Sequence, residues 1–250
     1  MLTIKQKVFR VIGNKLIKAS SEGLYSDMEP SFKDIFFKCK NYTMTSPERM
    51  YSLYKSTEYV LNNNIPGDIV ECGVWRGGSS MVCALTMMKM QSMDRKIYLY
   101  DTYSGMSEPT EKDVDFEGSQ SIKKWKKMER DNHNKWDYAS LAEVKNNMQS
   151  TKYPDENIIY IKGKVENTIP NKIPEKISIL RLDTDWYEST YHELIHLFPL
   201  LSKNGVLIID DYGHWQGSKE AVDNYIEENK VKILLNRVDY TGRIGIKTKY

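Results

Sequence analysis

The chain has 250 residues, 40% of them hydrophobic, with 36 Lys plus Arg against 34 Asp plus Glu. That length suits one α/β domain with embellishments, and the composition excludes a disordered chain. A net charge of +2, with the basic residues scattered, gives no electrostatic case for nucleic acid as partner. No run of 18 uninterrupted apolar residues is present, so no membrane span is expected. Cys39, Cys72 and Cys83 are too sparse for a disulfide scaffold or a zinc knuckle, and a reducing, cytoplasmic setting is the simple reading.

Residues 1–20 mix apolar positions (Ile4, Val8, Val11, Ile12, Leu16) with basic ones (Lys5, Lys7, Arg10, Lys15, Lys18). That pattern lacks the continuous apolar core of a signal peptide and reads as a short basic amphipathic helix. Packing on its own domain or a partner subunit is expected, with membrane-surface contact as the alternative. Residues 30–60 include a helix starting after Ser46-Pro47, with Pro in its first turn. Residues 1–60 are therefore read as a helical cap on a domain spanning 61–250.

After Pro66-Gly67, strands and helices alternate. Asp68 to Cys72 reads as a strand, followed by a glycine-rich turn and a helix from Ser79 to Met90. Further strands are read at Lys96–Tyr100, ending at Asp101, then at Ile158–Ile161, Ile177–Leu182 and Val206–Ile209. Asp183 follows the fourth strand and Asp210-Asp211 the fifth. Helical patterns follow at about 188–198 and 218–229. Two weaker strands, near 232–236 and 242–247, are joined by Asp239-Tyr240-Thr241-Gly242 and suggest an antiparallel pair. The alternation predicts an α/β fold with a largely parallel sheet. Gly105 to Tyr138 interrupts it with a polar segment carrying Phe116, Trp125, Trp136 and Tyr138, read as a partly helical lid.

In open α/β sheets ligands bind at the carboxyl ends of strands. Glu71, Asp101, Asp183, Asp185, Asp210 and Asp211 all lie at such ends. Carboxylates gathered there need positive compensation. All-oxygen ligands select a hard cation, Mg²⁺ first, with Mn²⁺ or Ca²⁺ as alternatives. Asp183, Asp210 and Asp211 come from neighbouring strand ends and can converge; plain surface carboxylates are the simpler alternative. Asp183 and Asp185, two apart in an extended segment, point to one side, which leaves open which is ligand and which is base. The turn Gly73 to Ser80 lacks both G-x-G-x-x-G and the P-loop G-K-[ST]. It suits a ligand without pyrophosphate, such as the aminoacyl end of S-adenosylmethionine, or a purely structural turn. Asp101 suits the ribose hydroxyls of a nucleoside, or a helix cap. His192-Glu193-Leu194-Ile195-His196 matches the zinc-protease pattern. However, Pro199 and Ser202 stand where the extended pattern needs Gly and His, and Leu194 and Ile195 belong to an apolar stripe.

Tyr42-Thr43-Met44-Thr45-Ser46 and the run from Gly67 through Glu71-Cys72-Gly73-Val74-Trp75-Arg76-Gly77-Gly78-Ser79-Ser80 resemble the macrocin-type O-methyltransferases, the sugar O-methyltransferases of macrolide and aminocoumarin pathways. Asp101-Thr102-Tyr103-Ser104-Gly105-Met106, Leu182-Asp183-Thr184-Asp185-Trp186-Tyr187 and Ile209-Asp210-Asp211-Tyr212-Gly213 are similar to later motifs of that family, in the expected order. The resemblance implies a class I, Rossmann-like methyltransferase fold of seven strands, with S-adenosylmethionine as donor and Mg²⁺ required. It implies Asp183, Asp210 and Asp211 as metal ligands and Asp185 as general base. Met44, Glu71, Gly73, Ser79, Asp101, Gly105, Gly163, Lys164 and Val165 would line the cofactor. The acceptor would be a hydroxyl of a sugar or glycosylated small molecule, in secondary-metabolite or surface-polysaccharide biosynthesis. Methylation of a phosphoryl oxygen in capsule decoration is an alternative; so, from another class, is a non-catalytic ligand-binding protein. A homo-oligomer is expected.

Overall fold

The computed structural model describes residues 25–248, so the basic segment 1–20 lies outside the described residues. Helix α1 (Pro30–Cys39) buries Phe32, Ile35, Phe36 and Cys39. Helix α2 (Pro47–Asn62) begins where Ser46-Pro47 predicts: the Ser46 hydroxyl accepts the Arg49 N–H at 3.2 Å, and Pro47 fills the first turn. Then come β1 (Asp68–Cys72), α3 (Gly78–Lys89) and β2 (Ile97–Asp101). The 105–138 segment contains α4 (Ser121–Met128) and a two-residue hairpin, β3 (Glu129–Arg130) with β4 (His133–Asn134). The chain continues through α5 (Leu141–Gln149), β5 (Ile158–Lys162), α6 (Val165–Thr168), β6 (Ile177–Leu182), α7 (Tyr187–Leu197), β7 (Leu201–Ile209), α8 (Gln216–Glu228), β8 (Asn236–Arg237) and β9 (Arg243–Ile246).

Seven strands form one sheet in the order β5-β2-β1-β6-β7-β9-β8. Pairs from β5 to β7 are parallel, and β9 runs antiparallel to both β7 and β8. The chain starts in the middle, builds outward to β5, then returns to β6 on the other side of β1. That reversal opens a crevice at the carboxyl ends of β1 and β6.

The strand alternation sorts side chains into two cores. Ile69, Leu99, Ile179, Val206 and Ile208 pack with Phe32, Met50, Tyr54 and Met81 of α1 to α3. Val70, Tyr100, Leu180, Leu182 and Ile209 pack with Leu194, Leu197 and Val222 of α7 and α8. Helices on both faces explain why β6 is buried at every position and reads as a nearly continuous apolar run.

The expected strand near 232–236 is largely absent. Val231, Ile233 and Leu235 alternate and pack against the second core, but only Asn236 and Arg237 pair with β9. A period of two is thus used mainly for packing: β9 passes close by at Gly245, but the ladder forms only at Asn236 and Arg237.

Segment 105–138 is tied down along its length. The Trp125 indole donates to the Met106 carbonyl at 2.8 Å, and the Trp186 indole to the Ser107 carbonyl at 3.0 Å. The buried Asp113 carboxylate accepts the Thr110 N–H at 2.7 Å and the Tyr187 N–H at 2.8 Å. The second bond satisfies a free amide in the first turn of α7. Among the described residues, no helix is long and apolar enough to cross a membrane.

Candidate active site

The strand ends are held in register beyond the strands themselves. Gly73 N–H donates to Tyr100 O, Asp183 N–H to Cys72 O and Asp210 N–H to Leu182 O, each at 2.9 Å. Gly73 has φ +81°, and a Cβ there would lie 1.9 Å from the Asp183 carbonyl oxygen. Only glycine permits this approach of the β1 turn to the loop that follows β6.

At this crevice Asp183, Asp210 and Asp211 each offer an oxygen, and these oxygens lie within 4.8 Å of one another. Asp185 sits beside them with φ +67°, its backbone N–H donating to Asp211 Oδ2 at 3.3 Å. A left-handed aspartate costs backbone energy and is found mostly where surrounding structure imposes it. Burial pushes the Asp185 carboxyl up to about 8, opposed first by its hydrogen bond with the Asp211 side chain and raised further by the Asp183 and Asp137 charges. Burial, and then neighbouring acids, hold the Asp183 and Asp211 carboxyls well above the usual range.

Two arginines meet this acidity. Arg181 stands opposite Glu71 in the β1–β6 register, on the same face of the sheet. Only 3% exposed, its guanidinium donates to Glu71 and Asp183 at 2.7 Å each, to Asp210 at 2.6 Å and to the Thr45 hydroxyl at 3.0 Å. Arg49 of α2 pairs with the other oxygen of Asp210 and donates from Nε to Asp239 at 2.9 Å. Glu71, Asp183, Asp210 and Asp239 pair with Arg181 and Arg49, and with Asp185 and Asp211 beside them the acids outnumber the cations, which adds to burial in raising the Asp183 and Asp211 carboxyls.

A cleft of about 400 Å³ opens over the cluster. It is lined by all the positions singled out from the sequence: Met44, Glu71, Gly73, Ser79, Asp101, Gly105, Gly163, Lys164 and Val165, together with Asp183, Asp185, Asp210 and Asp211. Their immediate partners differ. The oxygens of Glu71 are taken by Arg181 and the Ser80 hydroxyl. The Asp101 carboxylate accepts the Val74, Trp75 and Tyr103 N–H groups at 2.8, 3.0 and 2.6 Å, bracing the glycine turn against the end of β2.

The zinc-protease pattern finds no site. His192 Nε2 contacts the Ile169 carbonyl at 3.0 Å, while Glu193 is buried beneath Thr184, whose hydroxyl it accepts at 3.1 Å. Among the described residues, Asp183, Asp210 and Asp211 are the group able to share an ion.

Sequence reasoning missed Arg181, Arg49 and Asp239. Arg181 carried a signal: it is the one charged side chain inside Ile177–Leu182, a strand buried at every position, and buried charges need partners. Arg49 and Asp239, on a helix face and in a turn, carried none.

A parallel sheet reversing between β1 and β6, with the glycine turn and the acids meeting in its crevice, defines a class I methyltransferase, and the chain is an S-adenosylmethionine-dependent O-methyltransferase. The solved structure of the O-methyltransferase NovP matches it with a TM-score of 0.72 at 29% identity, covering 83% of each chain. Demethyldecarbamoylnovobiocin O-methyltransferase of Streptomyces niveus is 30% identical over 208 residues, 83% of this chain and 76% of that one. An 8-demethyl-8-(2,3-dimethoxy-alpha-L-rhamnosyl)-tetracenomycin-C 4'-O-methyltransferase of Streptomyces olivaceus is 31% identical over 201 residues, 80% of this chain and 74% of that one. The family described as macrocin-O-methyltransferase (TylF) matches residues 32–244, and the chain belongs to it.

The Gly73 contact yields a direct test. Gly73→Ala is expected to displace the Asp183 loop and lower methyl transfer about 10²-fold, the scale of a small misplacement of reacting groups. Steady-state kinetics with circular dichroism as a fold control measures it; wild-type activity would show that the contact is not needed.

Proposed function

We propose that the enzyme transfers the methyl group of S-adenosylmethionine to a hydroxyl of a sugar or glycosylated small molecule, with Asp185 as base and Mg²⁺ held by Asp183, Asp210 and Asp211. The biosynthetic setting proposed is secondary-metabolite or surface-polysaccharide assembly. The observation that carries the reading is the convergence of three carboxylates and Asp185 in the cleft that also holds the glycine turn. The Streptomyces olivaceus relative, named for a rhamnosyl-bearing tetracenomycin, supports a glycoside acceptor.

The residues present fit a hard divalent cation. The donors are all carboxylate oxygens, close enough to share one ion, and the two arginines leave their charge partly uncompensated. When bound, Mg²⁺, or Mn²⁺ in its place, would supply Lewis acidity that lowers the pKa of an acceptor hydroxyl. Asp185, beside this cluster in the same cleft, is placed to take the hydroxyl proton. Asp101 and the Gly73 turn hold the donor's ribose and aminoacyl ends, Gly163, Lys164 and Val165 flank its adenine, and Met44 covers it. The cleft's contribution is to align sulfonium, methyl and hydroxyl for in-line displacement. Buried free thiols at Cys39, Cys72 and Cys83 support the reducing, cytoplasmic setting proposed for it.

The test is methyl transfer from labelled S-adenosylmethionine to a panel of glycosides and nucleotide sugars. Activity should vanish with a chelator and return with Mg²⁺, and Mg²⁺ should raise the melting temperature of the wild type but not of Asp210→Ala/Asp211→Ala. Full activity in chelator would remove the metal from the reading. Tight S-adenosylmethionine binding without transfer to any hydroxyl in the panel would favour a binding protein.

A further inference from the structure

Phe116 and Tyr240 are large aromatic side chains left 57% and 54% exposed. They meet His214: the Phe116–His214, Phe116–Tyr240 and His214–Tyr240 ring centroids lie 5.6, 6.3 and 6.1 Å apart. The three rings come from different parts of the chain, the 105–120 loop, the β7–α8 loop and the β8–β9 turn. His214 and Tyr240 line the same cleft as the aspartates, and the His214 N–H donates to the Asp211 carbonyl at 2.9 Å. Exposed apolar rings gathered at the mouth of a cleft mark a contact surface.

The backbone beneath the rings is locked. The Gly213 N–H donates to Thr241 O at 2.9 Å, and a Cβ at Gly213 would lie 1.8 Å from the Tyr240 carbonyl oxygen. The Gln216 N–H donates to Val114 O at 2.9 Å, and its side-chain amide to Asp115 O at 3.0 Å. Asp115 closes a tight loop around Phe116, its carboxylate accepting the Glu117 and Ser119 N–H groups at 3.0 and 2.8 Å. These bonds fix where the rings stand without using the rings themselves, which is the arrangement of a pre-organised site.

We propose that Phe116, His214 and Tyr240 form the subsite that receives the sugar ring of the acceptor, a proposal that rests on the glycoside reading above. The angles between the rings favour a sugar over a flat polycycle. They are 54°, 71° and 81°, so the rings make a corner rather than a parallel slot. An extended flat polycycle can lie flat on only one of three mutually inclined rings, meeting the others edge-on, and so covers less of the corner than a ligand with faces in several directions. A puckered pyranose offers C–H faces to ring faces and hydroxyls to the polar atoms of the corner, the Tyr240 hydroxyl and His214 Nδ1, which lie 3.5 Å apart. A ring seated there lies against the Asp211 loop, and one of its hydroxyls reaches the carboxylates. The rings set which hydroxyl is presented.

The test uses the full-length enzyme with S-adenosylhomocysteine and Mg²⁺, and methyl α-L-rhamnopyranoside and methyl β-D-glucopyranoside as probes, followed by saturation-transfer NMR. At least one sugar should show transfer to its ring C–H protons. Phe116→Ala/Tyr240→Ala should weaken its binding at least about tenfold, the combined scale of two ring contacts. S-adenosylhomocysteine affinity, read by calorimetry, should stay unchanged and would report any loss of fold. Tyr240→Phe, which keeps the ring and loses only the hydroxyl, should bind more weakly than the wild type but more tightly than the double variant. Leu234→Ala, at an exposed side chain that does not line the cleft, serves as the surface control. Equal sugar binding by the wild type and the double variant overturns the subsite alone. No binding of either sugar by a wild type that still binds S-adenosylhomocysteine overturns the subsite and the glycoside reading together.

Discussion

Asp185→Asn is expected to lower kcat roughly 10²–10⁴-fold, the usual worth of a positioned general base. The choice of asparagine matters. Asp185 sits at φ +67°, a left-handed conformation that Asn adopts about as readily as Asp, whereas alanine would add backbone strain to the chemical loss. The amide also keeps an oxygen for the Trp215 hydrogen bond. What disappears is the ability to take a proton. S-adenosylmethionine affinity and melting temperature should therefore hold while single-turnover methyl transfer collapses. A variant within threefold of the wild type would remove Asp185 as base and return that role to Asp183, the alternative that two-residue spacing leaves open.

Arg181→Met should be the most destabilising single change at the site. Removing one partner of a buried ion network typically costs about 3–5 kcal/mol, because the remaining charges stay desolvated. Here Glu71 and Asp183 would lose their guanidinium, while Asp210 keeps only its pairing with Arg49. For a chain of this size such a loss lowers the melting temperature by roughly 10 °C. Glu71→Gln added to Arg181→Met should recover part of it, since it removes an uncompensated buried charge rather than a contact. Saturating Mg²⁺ should recover a further part by binding the folded form. Calorimetry of the single and double variants measures both effects. A drop below about 2 °C in the single variant would mean that the carboxylates are satisfied some other way.

The sheet was readable because its central strands are buried on both faces, so Val70, Ile179, Leu180 and Ile208 had to be apolar or β-branched. The candidate site was readable to the extent that glycine at 73 and acids at 101, 183, 185, 210 and 211 stand at strand ends and line one cleft. What compensates those acids was not readable. Arg181 reaches Glu71 across 110 residues, and Arg49 reaches Asp239 across 190, so no local pattern joins them. The same holds for Phe116, His214 and Tyr240, whose meeting depends on the Gly213–Thr241 contact. The strand expected near 232–236 erred the other way, because side-chain alternation reports a buried face and says nothing of whether the backbone joins a ladder.

The Arg49 pairings bear on how the enzyme reaches competence. Arg49 joins a helix near one end of the described chain to Asp210 and to Asp239, and Ser46 donates its hydroxyl to the same Asp239 carboxylate at 2.7 Å. Closing a loop of that length costs about 4–5 kcal/mol of chain entropy before any contact rewards it. Contacts so distant in sequence form late, after the local βα units have condensed. A chain interrupted before residue 239 would carry the glycine turn, the aspartates after β6 and β7 and the Arg49–Asp210 pair, yet lack the carboxylate that accepts from both Ser46 and Arg49. The α2 side of the site is thus completed by contacts that span most of the described fold rather than by its local motifs.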